Sequence, residues 1–179
     1  MSAYHKNIVM KHSLLFLSLP LFLLSSCGPS NGGTDEKFMT KNVETLIDNI
    51  NNKDVDAIYE TFSISRKNAI PTLKDDIRSL CDYYQGGKLK KWIKYGGSGS
   101  KTYYENHKKR LTIHDSFQVE CENQSYTIAI SWRRYDSWEK DNVGLWLIEM
   151  SEYEEGVNWP NKDTKITVGE EEKSTSENQ

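Results

Sequence analysis

Between Leu111 and Trp132, apolar residues fall on every second position. Leu111, Ile113, Phe117, Val119 and Cys121 take the odd numbers, and Tyr126, Ile128, Ile130 and Trp132 take the even ones. Successive side chains of a β-strand point to opposite faces, so each set lies along one side of a strand. Glu122-Asn123-Gln124-Ser125, between the two runs, has the composition of a tight turn. The segment therefore reads as a long hairpin with one apolar face, and the rest of the chain must cover that face. Val143-Gly144-Leu145-Trp146-Leu147-Ile148 is apolar in both phases, which suits a strand that is central or covered. Leu89, Ile93 and Tyr95 mark an earlier strand, and Thr102 to Asn106 a weaker one. Gly96-Gly97-Ser98-Gly99-Ser100 separates these two as a loop.

Cover for the sheet comes from upstream, where the period is helical. Met39, Val43, Leu46, Ile47 and Ile50 form a stripe one face wide from Asp35 to Asn52. Asp54 is a suitable N-cap for a shorter helix burying Val55, Ile58, Tyr59 and Phe62. Pro71 suits the first turn of a third helix, whose stripe is Leu73, Ile77, Leu80, Cys81 and Tyr84. Gly86-Gly87 ends it. Three helices followed by an antiparallel sheet of four to five strands is an α+β arrangement. The folded domain spans residues 37–160. Residues 161–179 are polar, with Glu170-Glu171-Glu172 near their centre, and read as a disordered acidic tail.

The N-terminus carries a different pattern. Lys6, Lys11 and His12 precede an apolar run from Leu14 to Leu24, broken by Ser18 and Pro20. Met10 is an alternative start to Met1. The run is about half of the ~20 residues that a membrane-spanning helix needs, so it reads as a secretion signal over residues 1–26. Leu24-Ser25-Ser26-Cys27 resembles the lipobox of bacterial lipoprotein precursors, with cleavage between Ser26 and Cys27 and a diacylglyceryl group on the Cys27 thiol. Two acyl chains give stable anchoring, since each buried CH₂ contributes roughly 0.8 kcal/mol. Residues 27–36, rich in Gly, Ser and Asn, read as a flexible tether. Removing residues 1–26 takes away Lys6 and Lys11 and no acid, leaving 21 basic and 26 acidic side chains. An acidic domain argues against a nucleic-acid partner. Cys81 and Cys121 remain, free to form a disulfide outside the cytoplasm or to stay as buried thiols.

The segment Asn52-Lys53-Asp54-Val55-Asp56-Ala57-Ile58 resembles a helix start that recurs in the nuclear-transport-factor-2-like, or cystatin-like, superfamily. With the lipobox, the 96–100 loop and Asp141-Asn142-Val143-Gly144-Leu145, residues 37–159 resemble an uncharacterised family of bacterial lipoproteins with that fold. The resemblance implies a bent, cone-like sheet around a helix, on the outer face of a cell membrane, most simply of a Gram-positive cell. Superfamily members use the cone for dehydration or isomerisation, for ligand binding, or not at all. Its enzymes place an Asp/His or Asp/Tyr pair in the cone, and no such pair is evident here.

Candidate chemistry is sparse. Gly97 to Thr102 superficially resembles a phosphate-binding loop, but the glycine spacing is wrong and no helical stripe follows. His114-Asp115 is an adjacent His–acid pair. With Asp115 on the odd, inward face it is a candidate general acid or base; a bulge at Asp115-Ser116 would instead release both side chains to solvent, the simpler expectation. His107 and His114 lack partners at metal-binding spacing, and no cofactor motif appears. Trp132 and Trp146 fit core positions, whereas Tyr135 and Trp138 lie near a loop where ligand contact is plausible. The leading expectation is a membrane-tethered, non-enzymatic domain binding a small ligand or envelope partner. The alternatives are a small lyase or isomerase using His114 or Asp115, and an immunity or structural envelope protein.

Overall fold

The computed structural model describes residues 32–95, 99–153, 155 and 164–170. The segment from Asn31 to Gln179 is a compact unit. Its core, among the described residues, draws on positions between Met39 and Val168. Ser26, Cys27 and the signal segment lie outside the described residues.

Among the described residues four helices come first: α1 (Gly32–Asn51), α2 (Val55–Thr61), α3 (Ile64–Ala69) and α4 (Leu73–Tyr83). The stripes of α1, α2 and α4 are buried as their spacing predicts, with Val43, Ile47, Ile58, Ile77 and Leu80 all inaccessible. Asp54 caps α2 by accepting from the Ala57 N–H at 2.9 Å. Helix α3 departs from the three-helix expectation. It has no apolar stripe and starts at Ile64, which is exposed, so its signal is the cap alone: Ser63 Oγ accepts from the Arg66 N–H at 3.3 Å. Helix α1 begins at Gly32, inside the segment expected to be tether.

Among the described residues the sheet has six strands rather than four to five: β1 (Leu89–Lys94), β2 (Gly99–Glu105), β3 (Lys108–Cys121), β4 (Ser125–Asp136), β5 (Gly144–Glu152) and β6 (Ile166–Val168). The order is β1-β3-β4-β5-β6, every pairing antiparallel, and β2 also pairs with β3. Strand β1 covers the Phe117–Cys121 stretch of β3, and β2 covers Lys108–His114. Asn106 and His107, both with positive φ, make the tight turn from β2 to β3. Strand β6 corrects the expectation of a disordered tail from residue 161. Ile166-Thr167-Val168 is β-branched throughout, pairs with Met150 to Ile148, and buries Val168 completely.

Ile113, Phe117, Val119, Ile128, Ile130, Ile148 and Met150 bury one face of the sheet in a core shared with the helices. Trp92 packs edge-on to Phe117 at 5.7 Å. A register shift between Leu89 and Lys91 turns Trp92 inward and leaves Ile93 exposed, against the alternation read from Leu89 and Ile93. Cys81 and Cys121 are both free and buried, not joined in a disulfide. The Tyr84 hydroxyl donates to Cys121 Sγ at 3.0 Å. Burial pushes both thiols and the Tyr84 phenol up. No described helix is long and apolar enough to cross a membrane.

Candidate functional site

The opposite sheet face carries the even positions of β3 and odd positions of β4. Thr112 lies across from Arg133, and His114 from Ser131. Lys101 on β2 is opposite Thr112, and Tyr103 opposite Arg110. These residues line a groove of about 570 Å³, with Trp146 and Leu147 from β5 and Arg66 reaching in from α3. Gly169 and Glu170 close it beyond β6. A second hollow of about 440 Å³ shares His114, Ser131 and Leu147 and continues past Ser116, Ala129 and Glu149.

Asp136 sets one end of this site. Its side chain is wholly buried, at 0% exposure, at the end of β4. It accepts from the Trp138 N–H at 2.9 Å, the Glu139 N–H at 3.2 Å, Asn142 Nδ2 at 3.1 Å and Arg110 Nε at 2.8 Å. Arg133 Nη1 lies 3.5 Å away. Burial alone would raise the carboxyl pKa, but the Glu139 N–H, the Asn142 amide, the Trp138 N–H and Arg110 together hold it below the ordinary range. Asn142 passes the order on: it accepts from Ser65 of α3, and its carbonyl accepts from Trp146 Nε1 at 2.7 Å. The Arg133 and Arg66 guanidinium groups lie over the Trp146 ring, at 3.6 and 4.1 Å from its centroid.

Two local distortions build the groove. The register between β4 and β5 shifts between Ser131 and Trp132, leaving Trp146 as the extra residue between Leu145 and Leu147. Trp146 is thereby half-buried in the groove instead of in the core that its strand pattern suggests. Trp132 stays on the helical side, edge-on to Phe38 at 5.4 Å. Gly169 fits under β5 because it has no side chain: a Cβ there would stand 2.3 Å from the Trp146 carbonyl oxygen.

His114 and Asp115 are separated by the strand itself. Pairing with β4 runs without a break from Thr112 to Glu120, so no bulge releases them. Asp115 turns inward, is 3% exposed, and has Lys94 Nζ 3.1 Å from Oδ1. His114 faces the groove, with Nδ1 2.7 Å from Ser131 Oγ. Burial, then Arg133, lower its pKa, Asp115 acts against them, and Lys101 lowers it further. Trp138 stacks obliquely on Tyr103 at 5.7 Å, with the Arg110 guanidinium 5.4 Å from its centroid, so it borders the groove. Tyr135 is half exposed and does not line the groove. Lys101 and Thr102 lie in β2 and not at a helix start, so the phosphate-loop likeness has no structural counterpart. Among the described residues no three His, Cys, Asp or Glu side chains are grouped as a metal site would need.

The alternation from Thr112 to His114 and from Ser131 to Arg133 did signal a polar face. Nothing local linked it to Arg66, Lys101 or Trp146. Residues 45–155 match the family described as Domain of unknown function (DUF5104), a span that includes every groove residue except Gly169 and Glu170. No curated protein matches the chain.

Proposed function

We propose, for a chain that belongs to the DUF5104 family, that it is a lipid-tethered binding domain working outside the cell membrane and holding a small ligand in the groove. The observation that carries this reading is the groove itself: about 570 Å³ of space ringed by ordered polar side chains on a sheet face the helices leave open. Pockets of this size, with a few fixed polar groups, suit small-molecule ligands. In this reading the diacylglyceryl group on Cys27 holds the domain at the membrane surface. In this reading the domain is a variant of the cone-like superfamily plan: Ile113, Phe117 and Ile130 lie in the core shared with the helices, and the ligand takes the other sheet face. His114 and Asp115 do not meet as an acid–base pair, since Asp115 is paired with Lys94 and His114 faces the groove.

Native mass spectrometry of residues 31–179, purified gently from the host, tests the binding reading. An added mass that is lost on denaturation is expected; a bare mass with no ligand recovered from the host refutes it. The tether is tested separately. Cys27→Ala should abolish acyl labelling and release the protein from membranes, and persistent labelling would remove the lipobox assignment.

A further inference from the structure

The groove's charge specifies its occupant, an inference that rests on the binding reading above. The whole chain is acidic, with a formal net charge of −3. Yet Arg66, Lys101, Arg110 and Arg133 converge on this one groove, opposed along its lining by Glu170. Asp136 lies behind the wall and serves two guanidinium groups at once, at 2.8 Å from Arg110 and 3.5 Å from Arg133. Arg133 is the more enclosed of these two, with its side chain 12% exposed and its Nε without a hydrogen-bond partner among the described residues. Its guanidinium is also pressed by burial and by Arg110. Clustered cations with restricted hydration create a strong local field for an anion, even on an acidic protein.

The donors also favour one anion shape. A guanidinium presents a planar fork, an ammonium a point charge, and they approach from different strands. In the tautomer whose Nδ1 accepts from Ser131 Oγ–H, His114 carries its proton on Nε2 and adds a third donor. Three donors from three directions match the three terminal oxygens of a tetrahedral ester better than the two of a carboxylate. The adjoining hollow past Ser116 and Ala129 leaves space for an organic body.

We propose that the groove binds a phosphate monoester, with Arg133 and Lys101 holding the phosphate and His114 donating the third hydrogen bond. The organic part lies along Leu147 towards Ala129.

Calorimetric titration of the 31–179 unit with phenyl phosphate at low salt tests this, with benzyl alcohol as the neutral counterpart. Saturable one-to-one binding of phenyl phosphate and none of benzyl alcohol is expected. Lys101→Glu should weaken binding by about tenfold or more, because a charge is reversed at the contact. Lys101 lies on a strand exposed along its whole length, so this variant keeps its fold, which an unchanged urea midpoint verifies. His114→Gln should weaken binding several-fold, and Lys41→Glu, on the exposed side of α1, should not. Phosphatidic acid vesicles that capture the unit in a Lys101-dependent way would identify the ester as a lipid headgroup; binding confined to soluble esters would identify a soluble ligand. Absence of saturable binding, equal binding of benzyl alcohol, full affinity in Lys101→Glu, or equal weakening by Lys41→Glu would each overturn the proposal. A neutral host ligand found by mass spectrometry, with no phenyl phosphate binding, would remove the phosphate assignment and leave the binding function standing.

Discussion

Asp136→Ala should be among the most damaging single substitutions in this domain. The carboxylate is inaccessible and meets two guanidinium groups, two backbone N–H groups and the Asn142 amide. Removing it strands Arg133 in a mostly buried position, and breaking a buried ion pair by deleting one partner costs about 3–5 kcal/mol. Arg110 is about one-third exposed and recovers hydration, which keeps the loss within that range. Against a total stability of ~5–15 kcal/mol for a domain of this kind, the variant is marginal at 25 °C. Urea unfolding of the 31–179 unit at pH 7, with Asp136→Asn alongside, measures the loss.

The pH dependence gives a second, independent reading of the same group. The folded pKa of Asp136 is depressed, so its contribution is fully present above the unfolded value of about 3.9 and is lost as pH falls through the folded value. The gap between the natural protein and Asp136→Asn should therefore be constant from pH 7 to about 5 and narrow below about pH 4. A loss under about 1 kcal/mol for Asp136→Ala, well short of the range for broken buried pairs, would refute the view that this carboxylate organises the end of the sheet. A gap that stays constant to pH 2, far below the unfolded carboxyl value of about 3.9, would refute the assignment of its charge.

Three further outcomes follow from the packing. Gly144→Ala should cost roughly 1–3 kcal/mol in urea unfolding. Its φ is +139°, and a Cβ would stand 2.7 Å from the Ser63 backbone nitrogen, so neutrality there would contradict the close approach of α3 to β5. Tyr126→Phe should cost about 1–3 kcal/mol, because the Gln85 N–H loses its acceptor at 2.8 Å; a cost near zero would mean that water replaces the phenol. In a proton NMR titration, His114 should titrate below about 6.5, so the unfolded chain takes up its proton first and stability falls as pH drops through that value. His114→Gln should flatten that part of the pH–stability profile, and an unchanged profile would remove His114 as its source.

Much of the fold was legible because side-chain periodicity is a local property. The stripes on α1, α2 and α4, the cap at Asp54 and the β3–β4 hairpin can each be read from one short continuous stretch of sequence. Helix α3 escaped because its existence depends on Ser63 and on docking beside β5, where Phe62 bridges Leu145 and Ser63 N–H donates to the Leu145 carbonyl. Strand β6 escaped because three residues carry too little pattern, and pairing with β5 is what fixes them.

The site was far less legible, for a related reason. Alternation put Thr112 and His114 on one face of β3, and Ser131 and Arg133 on one face of β4, without saying that these faces coincide. Register decides that, and register is set by pairing between distant segments. The two shifts along β4 are likewise invisible in any one strand, yet they bring Trp146 into the groove and Asp136 beneath two arginines. The sequence by itself determined the helical and strand stripes that supply the core and where a lipobox-like segment stands, because composition and local period suffice for both. The tertiary structure alone decided that cations from α3, β2, β3 and β4 share one groove, because only folding brings charges so distant in the chain within reach of a single ligand.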